Sequence, residues 1–320
     1  AELMGFGQEL EIPMDVTPSI YPIELEDSQL ALTGFGQFDV RVSPLQMAMV
    51  AGAVANGGRM MRPYLMRRAI TRDGVVVKDA AGLAAAPIGK PVFGLFNPSH
   101  LTFMVDRKPD TTEPTLTDMT AAALARLNGD KDGYYLMVEG GRIDHAHHAG
   151  QAGYALEEAV EFARAVQYAV DNTDPAETLI MVTADHSHVF TISGYPQRGN
   201  DILGLVVPPK GNGEDGGDGT SPLLAADGKP YTTLGYANGP GGLLAKKHGE
   251  DDDDHDHGRP MPETGIKARQ QALVPLGSET HGGEDVALFA TGPGANRVRG
   301  VIEQNVIYAI IRKALQAALK

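Results

Sequence analysis

Apolar residues recur at the three- and four-residue spacing of a helix in several stretches of the chain. In the longest stretch, one apolar face is formed by Leu156, Val160, Ala163, Val166 and Val170. Such a face is typical of a helix that packs on one side. Near the N-terminus, Ser43 and Pro44 supply the cap and the first residue of another helix. The pattern thus predicts a helix from Ser43 and helices over residues 116–127, 156–170 and 302–319.

Short apolar runs between these helices predict buried strands. The runs are Tyr134 to Val138, Leu179 to Thr183 and Val286 to Ala290. Strands that alternate with helices are typical of a parallel sheet, because each crossover helix returns the chain to the same end of the sheet. The predicted fold class is therefore α/β, with a mostly parallel sheet covered by helices on both faces.

Composition divides the chain further. Residues 208–265 are rich in Gly, Pro and Asp, and we expect them to be a polar insertion. Within it, Glu250 to Asp256 holds six acidic residues, and two histidines lie in or beside this run. A solvated loop tip and a weak cation site are both compatible with that run.

Charge and cysteine content restrict the function. Acidic residues outnumber basic ones by 41 to 27, which gives a formal net charge of −14. Such a chain has no general attraction for nucleic acids or anionic membranes, so we expect no nucleic-acid partner. A phosphate ester would need a local positive source such as a metal ion. The chain has no cysteine, which excludes disulfides and thiolate zinc sites.

No segment has the length of a membrane span. The longest apolar stretch, Leu45 to Ala55, includes a glutamine and is far shorter than the ~20 residues required. The first residues, Ala1 to Gly7, lack the basic start and apolar core of a signal peptide. We expect this start to be the cut end of a mature protein or of a fragment.

Three clusters of acidic residues and histidines carry the candidate chemistry. Asp144 to His148 follows the first predicted strand, Asp185 to His188 follows the second, and Glu279 to Asp285 precedes the third. In an open parallel sheet, ligands bind beyond the carboxyl ends of the strands. Carboxylate and imidazole are the zinc ligands used where thiolates are absent. The clusters therefore predict a metal site, with a solvated ion-pair network as the alternative.

Spacing suggests how such a site would be built. Asp144 and His148 are four residues apart, so a helical turn would point both side chains the same way. Two ligands from one segment and one from a remote segment would leave zinc an open position. Asp185 and His186 could hold a second metal, and Glu139 could reach a magnesium ion. We expect His188 to orient a ligand rather than to bind a metal.

Longer motifs resemble a known family. Residues 90–319 resemble the C-terminal half of alkaline phosphatases, most clearly in three stretches: Val-Glu139-Gly-Gly-Arg-Ile-Asp144-His-Ala-His-His148, Val-Thr-Ala-Asp185-His186-Ser-His188-Val-Phe and Glu-Thr-His281-Gly-Gly-Glu-Asp. The resemblance implies that Asp144, His148 and His281 bind a first zinc ion. It also implies that Asp185 and His186 bind a second zinc and that Glu139 binds magnesium, with His188 in support.

The resemblance also implies residues that this chain lacks. In the family, a serine nucleophile within Asp-Ser-Ala, a bridging aspartate and a phosphate-binding arginine come from the preceding half. Asp-Ser-Ala occurs nowhere in this chain. The resemblance further implies a phosphate monoester or phosphate ion as ligand, a possible homodimer, and a periplasmic or extracellular location. The fold would then be incomplete on its N-terminal side.

The N-terminal segment resembles a different family. Gly34 to Met49 and Ala55 to Leu65 resemble the transpeptidase domain of penicillin-binding proteins. Residues 1–88 contain neither the Ser-x-x-Lys nor the Lys-Thr-Gly motif of that family. We therefore expect a foreign segment over residues 1–88, without that family's chemistry, and an alkaline-phosphatase-like metal-binding domain over residues 89–320.

Three functions follow from these observations. The first is metal-dependent hydrolysis of phosphate monoesters, weak or lost because the nucleophile, the bridging aspartate and the arginine are absent. The second is a non-catalytic zinc-binding hybrid protein whose folding depends on the metal. The third is a peptidoglycan-associated binding module formed by residues 1–88, against which the incomplete transpeptidase sequence argues.

Overall fold

The computed structural model describes residues 74–211, 217–242 and 261–318, together with a few isolated positions nearer the N-terminus. Of the helix predicted from Ser43, only Met47 and residues 49–51 are described, and these are helical. The acidic run Glu250 to Asp256 lies outside the described residues.

The described elements begin with strand, helix and strand, continue with three successive α-helices and then seven successive strands, and end with a helix. The helices are α1 (Ala80–Ala85), α2 (Leu116–Leu127), α3 (Arg142–His148), α4 (Ala152–Asp171) and α5 (Gln304–Ala318). The strands are β1 (Val75–Val77), β2 (Val92–Gly94), β3 (Ile180–Thr183), β4 (Ser187–His188), β5 (Phe190–Ile192), β6 (Leu234–Gly239), β7 (Ala272–Pro275), β8 (His281–Gly282) and β9 (Leu288–Thr291). The helices predicted over residues 116–127, 156–170 and 302–319 are confirmed as α2, α4 and α5. The apolar face expected to pack is wrong, since four of its five residues, Leu156, Val160, Ala163 and Val170, are exposed.

The described strands form four small sheets instead of one large one. β1 pairs with β2, β3 with β9, and β4 with β8, while β5, β6 and β7 form the largest sheet. Among the described residues, three of the five strand pairings are antiparallel. The expected mostly parallel sheet is therefore not confirmed. In the described part of the chain no α-helix separates the strands from β3 to β9, and strands without a crossover connection can pair antiparallel.

The strand predicted from Tyr134 to Val138 is wrong. These residues have no regular secondary structure, and in the described part of the chain they pair with no strand. Met137 in this run is 48% exposed. An apolar run indicates burial, but a strand also needs a neighbour for its backbone groups, and the described residues provide none here.

Two carboxylates of α4 fix the elements that surround it. Glu161, only 4% exposed, accepts hydrogen bonds from the backbone N–H and the hydroxyl of Thr117 in the first turn of α2. Glu158 accepts one from the backbone N–H of Met104. A carboxylate at a helix N-terminus satisfies free N–H groups and opposes the helix dipole. α4 therefore holds the start of α2 in place.

Helix α3 lies against α4 through small residues. Ala146 of α3 is fully buried and packs with Tyr154 and Ala155 of α4. At Gly153, a Cβ atom would lie 2.2 Å from the carbonyl oxygen of Ile266, so only glycine fits there. This close packing fixes the helix that carries Asp144 and His148.

Residues on both sides of the expected domain boundary share a small core. Val77, Leu83 and Ala86 are buried and pack with Val92 and Met119, among others. The guanidinium of Arg126 on α2 donates to the backbone carbonyls of Leu83 and Ala86 at the end of α1. The boundary at residue 88 stays a prediction, but residues 75–86 pack on the part of the chain that follows it.

The segment expected to be a polar insertion contains buried structure. Strand β6 lies between 208 and 265, pairs with β5 and β7, and buries Leu234 and Tyr236. The prediction rests on the average composition of the segment, and its high content of Gly, Pro and Asp outweighs this short strand in that average. The segment therefore contributes to the core as well as to the surface.

We predict that Glu161→Ala lowers the free energy of unfolding by about 1 kcal/mol, because it removes the acceptor of two partly buried hydrogen bonds from Thr117. Urea unfolding would measure this loss. Glu157→Ala is the control, since Glu157 lies on the same helix and makes no hydrogen bond within the described residues. An equal effect of both substitutions would contradict the anchoring role of Glu161.

Candidate metal centre

Three separate elements bring the predicted ligands together. α3 places Asp144 and His148 one helical turn apart, on the same side of the helix. β4 pairs antiparallel with β8, and in this register His188 lies opposite His281. His186 immediately precedes β4. The structure thus assembles side chains from all three sequence clusters at one place.

One carboxylate oxygen lies at the centre of this assembly. The Oδ1 atom of Asp144 is surrounded by four imidazole Nε2 atoms, at 3.2 Å for His188, 3.3 Å for His281, 3.4 Å for His148 and 3.8 Å for His186. Zinc binds nitrogen and oxygen at about 2.0–2.1 Å, so two ligands of one tetrahedral zinc lie ~3.3 Å apart. Asp144, His186, His188 and His281 have donor atoms within 4.8 Å of one another and could hold one ion, whereas His148 belongs to a second group with His188 and Glu279.

The missing hydrogen bond at Asp144 and the close approach of two imidazole nitrogens also fit a bound cation. Asp144 Oδ1 is buried and makes no hydrogen bond of acceptable geometry. A buried polar atom without a partner is rare and commonly indicates an ion or a water. The Nε2 atoms of His148 and His281 lie only 3.0 Å apart. The donor set of one carboxylate and several imidazoles is the one zinc uses where thiolates are absent.

Hydrogen bonds fix which ring nitrogen faces the centre. The Nδ1 atom of His148 lies 2.7 Å from the backbone carbonyl oxygen of Glu279. Since a carbonyl can only accept, this Nδ1 carries the proton. The Nε2 lone pair of neutral His148 then points towards Asp144. The Nδ1 atom of His188 similarly lies 2.7 Å from the carboxylate of Glu279.

The electrostatic environment of the cluster favours the ionised form of Asp144 and the protonated forms of His148 and His188. Burial opposes ionisation of Asp144, but His148 and His188 outweigh it and hold the pKa of that carboxyl well below its usual range. Burial likewise lowers the pKa of His188, but Asp144 and Glu279 more than compensate and raise it to about 9. The nearby carboxylate of Asp144, followed by the carbonyl of Glu279, raises the pKa of His148 as well. A metal ion would therefore compete with protons for these imidazoles.

The imidazole ring of His147 packs against the ring of His188. The ring of His147 stacks on that of His188 with centroids 4.6 Å apart, and its Nδ1 lies 2.9 Å from the hydroxyl of Tyr236. Burial, followed by the nearby His188, lowers the pKa of His147 to about 4. His147 is thus neutral at ordinary pH and restricts the His188 ring from one side.

Two of the predicted ligands lie away from this centre. The side chain of Asp185 is 83% exposed, and its Oδ2 atom lies 3.4 Å from Nε2 of His186. Glu139 is exposed and lies in the irregular run before α3. Among the described residues, no candidate metal group includes either side chain. The second zinc position and the magnesium position therefore stay predictions.

Sequence reasoning missed Glu279 and Tyr236. Glu279 is 2% exposed and contacts two of the histidines, yet in the sequence it was only the first acidic residue of the third cluster. Its position two residues before His281 was the available signal. Tyr236 begins a stretch that resembles the family, but it lies in the segment expected to be a polar insertion, and its contact with His147 was not predicted.

One cationic side chain, Arg142, lies at the start of the helix that carries Asp144. The guanidinium carbon of Arg142 lies 3.4 Å from the ring centroid of Phe103. Its Nη1 atom lies 3.2 Å from Nδ1 of His145, whose ring in turn lies 4.3 Å from that of His100. Burial, His100 and Arg142 together lower the pKa of His145. Arg142 thus supplies a fixed positive charge near the cluster.

Comparison with known proteins identifies the family. The family model described as alkaline phosphatase matches residues 64–317, most of the chain. This chain belongs to the alkaline phosphatase family. The model of the penicillin-binding protein transpeptidase domain matches residues 3–92. Both resemblances noted in the sequence are therefore confirmed, and the two matches overlap over residues 64–92.

Individual alkaline phosphatases match the same part of the chain. The tissue-nonspecific alkaline phosphatase of Gallus gallus is 44% identical over 217 residues, which are 68% of this chain and 38% of that protein. The alkaline phosphatase of Gadus morhua is 43% identical over 216 residues, 68% of this chain and 41% of that protein. This chain thus spans about two fifths of the length of these relatives.

Two solved alkaline phosphatase structures superpose on part of the chain. A cold-active alkaline phosphatase from a psychrophilic Shewanella species is 29% identical, with a TM-score of 0.36 over 41% of this chain and 32% of that one. The alkaline phosphatase of Thermus thermophilus is also 29% identical, with a TM-score of 0.37 over 40% of this chain and 28% of that one.

In the part of the chain that the structure describes, no helix has the length and apolar character of a membrane span.

We predict that zinc stabilises the protein through His281. At a free zinc concentration 100 times Kd, binding to the folded state alone adds about 2.7 kcal/mol. Thermal unfolding with zinc and with a chelator would measure this gain. His281→Ala should abolish it, whereas the control His100→Ala should retain it, because exposed His100 lies outside the donor cluster. Full zinc stabilisation of His281→Ala would contradict the assignment.

Proposed function

We propose that the protein binds zinc at the cluster around Asp144 and hydrolyses phosphate monoesters weakly. The observation that carries this proposal is the buried Oδ1 atom of Asp144, which has no hydrogen-bond partner and faces four imidazole nitrogens. Membership of the alkaline phosphatase family supports the reaction class. Because the chain spans only part of its relatives, the activity itself belongs to the proposal.

The donor groups suggest how metals would be held. Asp144, His148 and His281 would hold a first zinc ion, with His188 beside them in support. Asp185 and His186 would contribute to a second zinc site, and Glu139 to a magnesium site. When bound, zinc lowers the pKa of a coordinated water to about 7 and polarises a phosphoryl oxygen.

This chain's own residues would prepare the site for an anion. Glu279 orients two imidazoles, and His147 restricts the ring of His188 from behind. Arg142 provides positive charge beside the cluster, which supports an anionic ligand such as a phosphate ester although the whole chain has a net charge of −14. Local charge outweighs distant charge because screening is strong beyond ~10 Å.

The turnover is proposed to be weak because the serine nucleophile that the family resemblance implies is missing from the sequence. The Asp-Ser-Ala segment that resemblance implies for the nucleophile occurs nowhere in the sequence. Ser187, the serine next to His186 and His188, donates its hydroxyl to Glu284 at 2.6 Å. Since no nucleophile is assigned, the second candidate is a zinc-binding hybrid protein without turnover.

Several family expectations also remain part of the proposal. They are a boundary between residues 88 and 89, a fold that is incomplete on its N-terminal side, a mostly parallel sheet when complete, a possible homodimer and a periplasmic or extracellular location. The transpeptidase match to residues 3–92 is consistent with a foreign N-terminal segment.

We predict zinc-dependent hydrolysis of p-nitrophenyl phosphate at alkaline pH. His281→Ala should lower the rate more than ~100-fold, because loss of a ligand exceeds the 10–100-fold cost of losing an outer-shell partner. His100→Ala should keep the rate of the unmodified protein, which controls for histidine removal elsewhere.

The same assay separates the two candidate functions. Activity equal in the unmodified protein and in His281→Ala, whether or not a chelator removes it, would indicate a contaminating phosphatase and contradict the hydrolytic proposal. Zinc binding without activity above that background would establish the non-catalytic hybrid protein instead.

A further inference from the structure

Glu279 contacts the metal cluster through two different parts of the residue. Its side chain is completely buried, and it lies just before β8, two residues from His281. Its backbone reaches His148 on α3, and its carboxylate reaches His188 on β4. Glu279 thus links α3 to β4, and β8 begins two residues after it.

The backbone of Glu279 fixes His148 twice. The N–H of Glu279 donates to the carbonyl oxygen of His148 at 3.0 Å. The carbonyl of Glu279 in turn accepts from Nδ1 of the same histidine at 2.7 Å. This pair of bonds fixes both the position of the residue and the direction of its ring.

The carboxylate of Glu279 fixes His188. Its Oε2 atom accepts from Nδ1 of His188 at 2.7 Å, and its Oε1 atom accepts from the backbone N–H of Val189 at 2.8 Å. A carboxylate held at both oxygens has one orientation, and it imposes that orientation on the imidazole. The two fixed rings point Nε2 at Asp144 Oδ1, at 3.2 Å for His188 and 3.4 Å for His148.

Strand β6 supports Glu279 from the other side. The side-chain amide of Asn238 donates to the hydroxyl of Thr280 at 2.8 Å, and its oxygen accepts from the N–H of Thr280 at 3.0 Å. Next to it, Gly239 has a φ of +138°, and a Cβ atom there would lie 3.2 Å from Cβ of Glu279. The segment expected to be a polar insertion therefore holds Glu279 in place.

We propose that Glu279 is a positioning residue of the metal centre, which sets the ring of His188 through its carboxylate and the ring of His148 through its carbonyl. This role rests on the proposed function, since it presumes that the cluster binds a metal. Outer-shell groups of this kind orient ligands and raise their basicity, and their loss weakens metal binding about 10–100-fold.

The side-chain half of this proposal is tested by Glu279→Gln, which keeps the size but removes the charge. Titration of the metal-free protein with Co²⁺ measures affinity, and the cobalt absorption spectrum reports ligand geometry. We expect about 10–100-fold weaker binding and a changed spectrum. Glu284→Gln is the matched control, because it removes an exposed carboxylate that bonds Ser187, next to His188. This control should retain the affinity of the unmodified protein.

A double-mutant cycle shows whether Glu279 acts through His188. In a His188→Ala background, Glu279→Gln should cause no further loss of affinity, because the ring that it orients is gone. Additive losses would overturn the positioning role. Circular dichroism would confirm that each variant folds.

A measurement on the unmodified protein avoids dependence on folding of the variants. Proton NMR of the zinc-loaded protein should show a low-field imidazole N–H signal that is absent in His188→Ala, as expected for a charge-assisted bond to Glu279. Absence of that signal would overturn the proposal.

The outcomes also separate this role from the proposed function. If the unmodified protein binds no cobalt, the metal centre is wrong and the role of Glu279 is overturned with it. If the unmodified protein binds cobalt and Glu279→Gln binds it equally well with the same spectrum, only the role of Glu279 is overturned.

Discussion

The architecture of the site depends on a buried, ionised oxygen of Asp144 that has no hydrogen-bond partner and faces four imidazole nitrogens. Burying a charge is costly unless an opposite charge compensates it. Without metal, protonated His188 and His148 can supply that charge, which explains the direction of their pKa shifts. With metal, the ion replaces those protons. In both states, the cluster stays together only if its rings are held in place.

Neutral packing and hydrogen bonds supply that support. Ala146 on α3 is fully buried against α4, and α4 in turn fixes α2 through buried Glu161. On the opposite side, the short ladder between β4 and β8 places His188 against His281. Glu279 connects the two sides through backbone and side-chain bonds. The geometry of the ligands thus depends on elements distant in sequence.

Much of the helical structure and of the cluster could be predicted from the sequence. Helical spacing located α2, α4 and α5, and the i, i+4 spacing of Asp144 and His148 placed both on one side of α3. Strand pairing could not be predicted, because an apolar run such as 134–138 indicates burial without naming a partner. Glu279 and Tyr236 were missed because their roles arise from contacts with residues about 90 or more positions away.

The central claim is that imidazoles and a carboxylate of this cluster bind zinc directly. X-ray absorption at the zinc edge of the zinc-loaded protein tests it most directly, because scattering from imidazole rings is distinctive. The account predicts nitrogen and oxygen ligands at about 2.0–2.1 Å that include at least two imidazoles. A spectrum with oxygen ligands alone, and no scattering from imidazole rings, would contradict it.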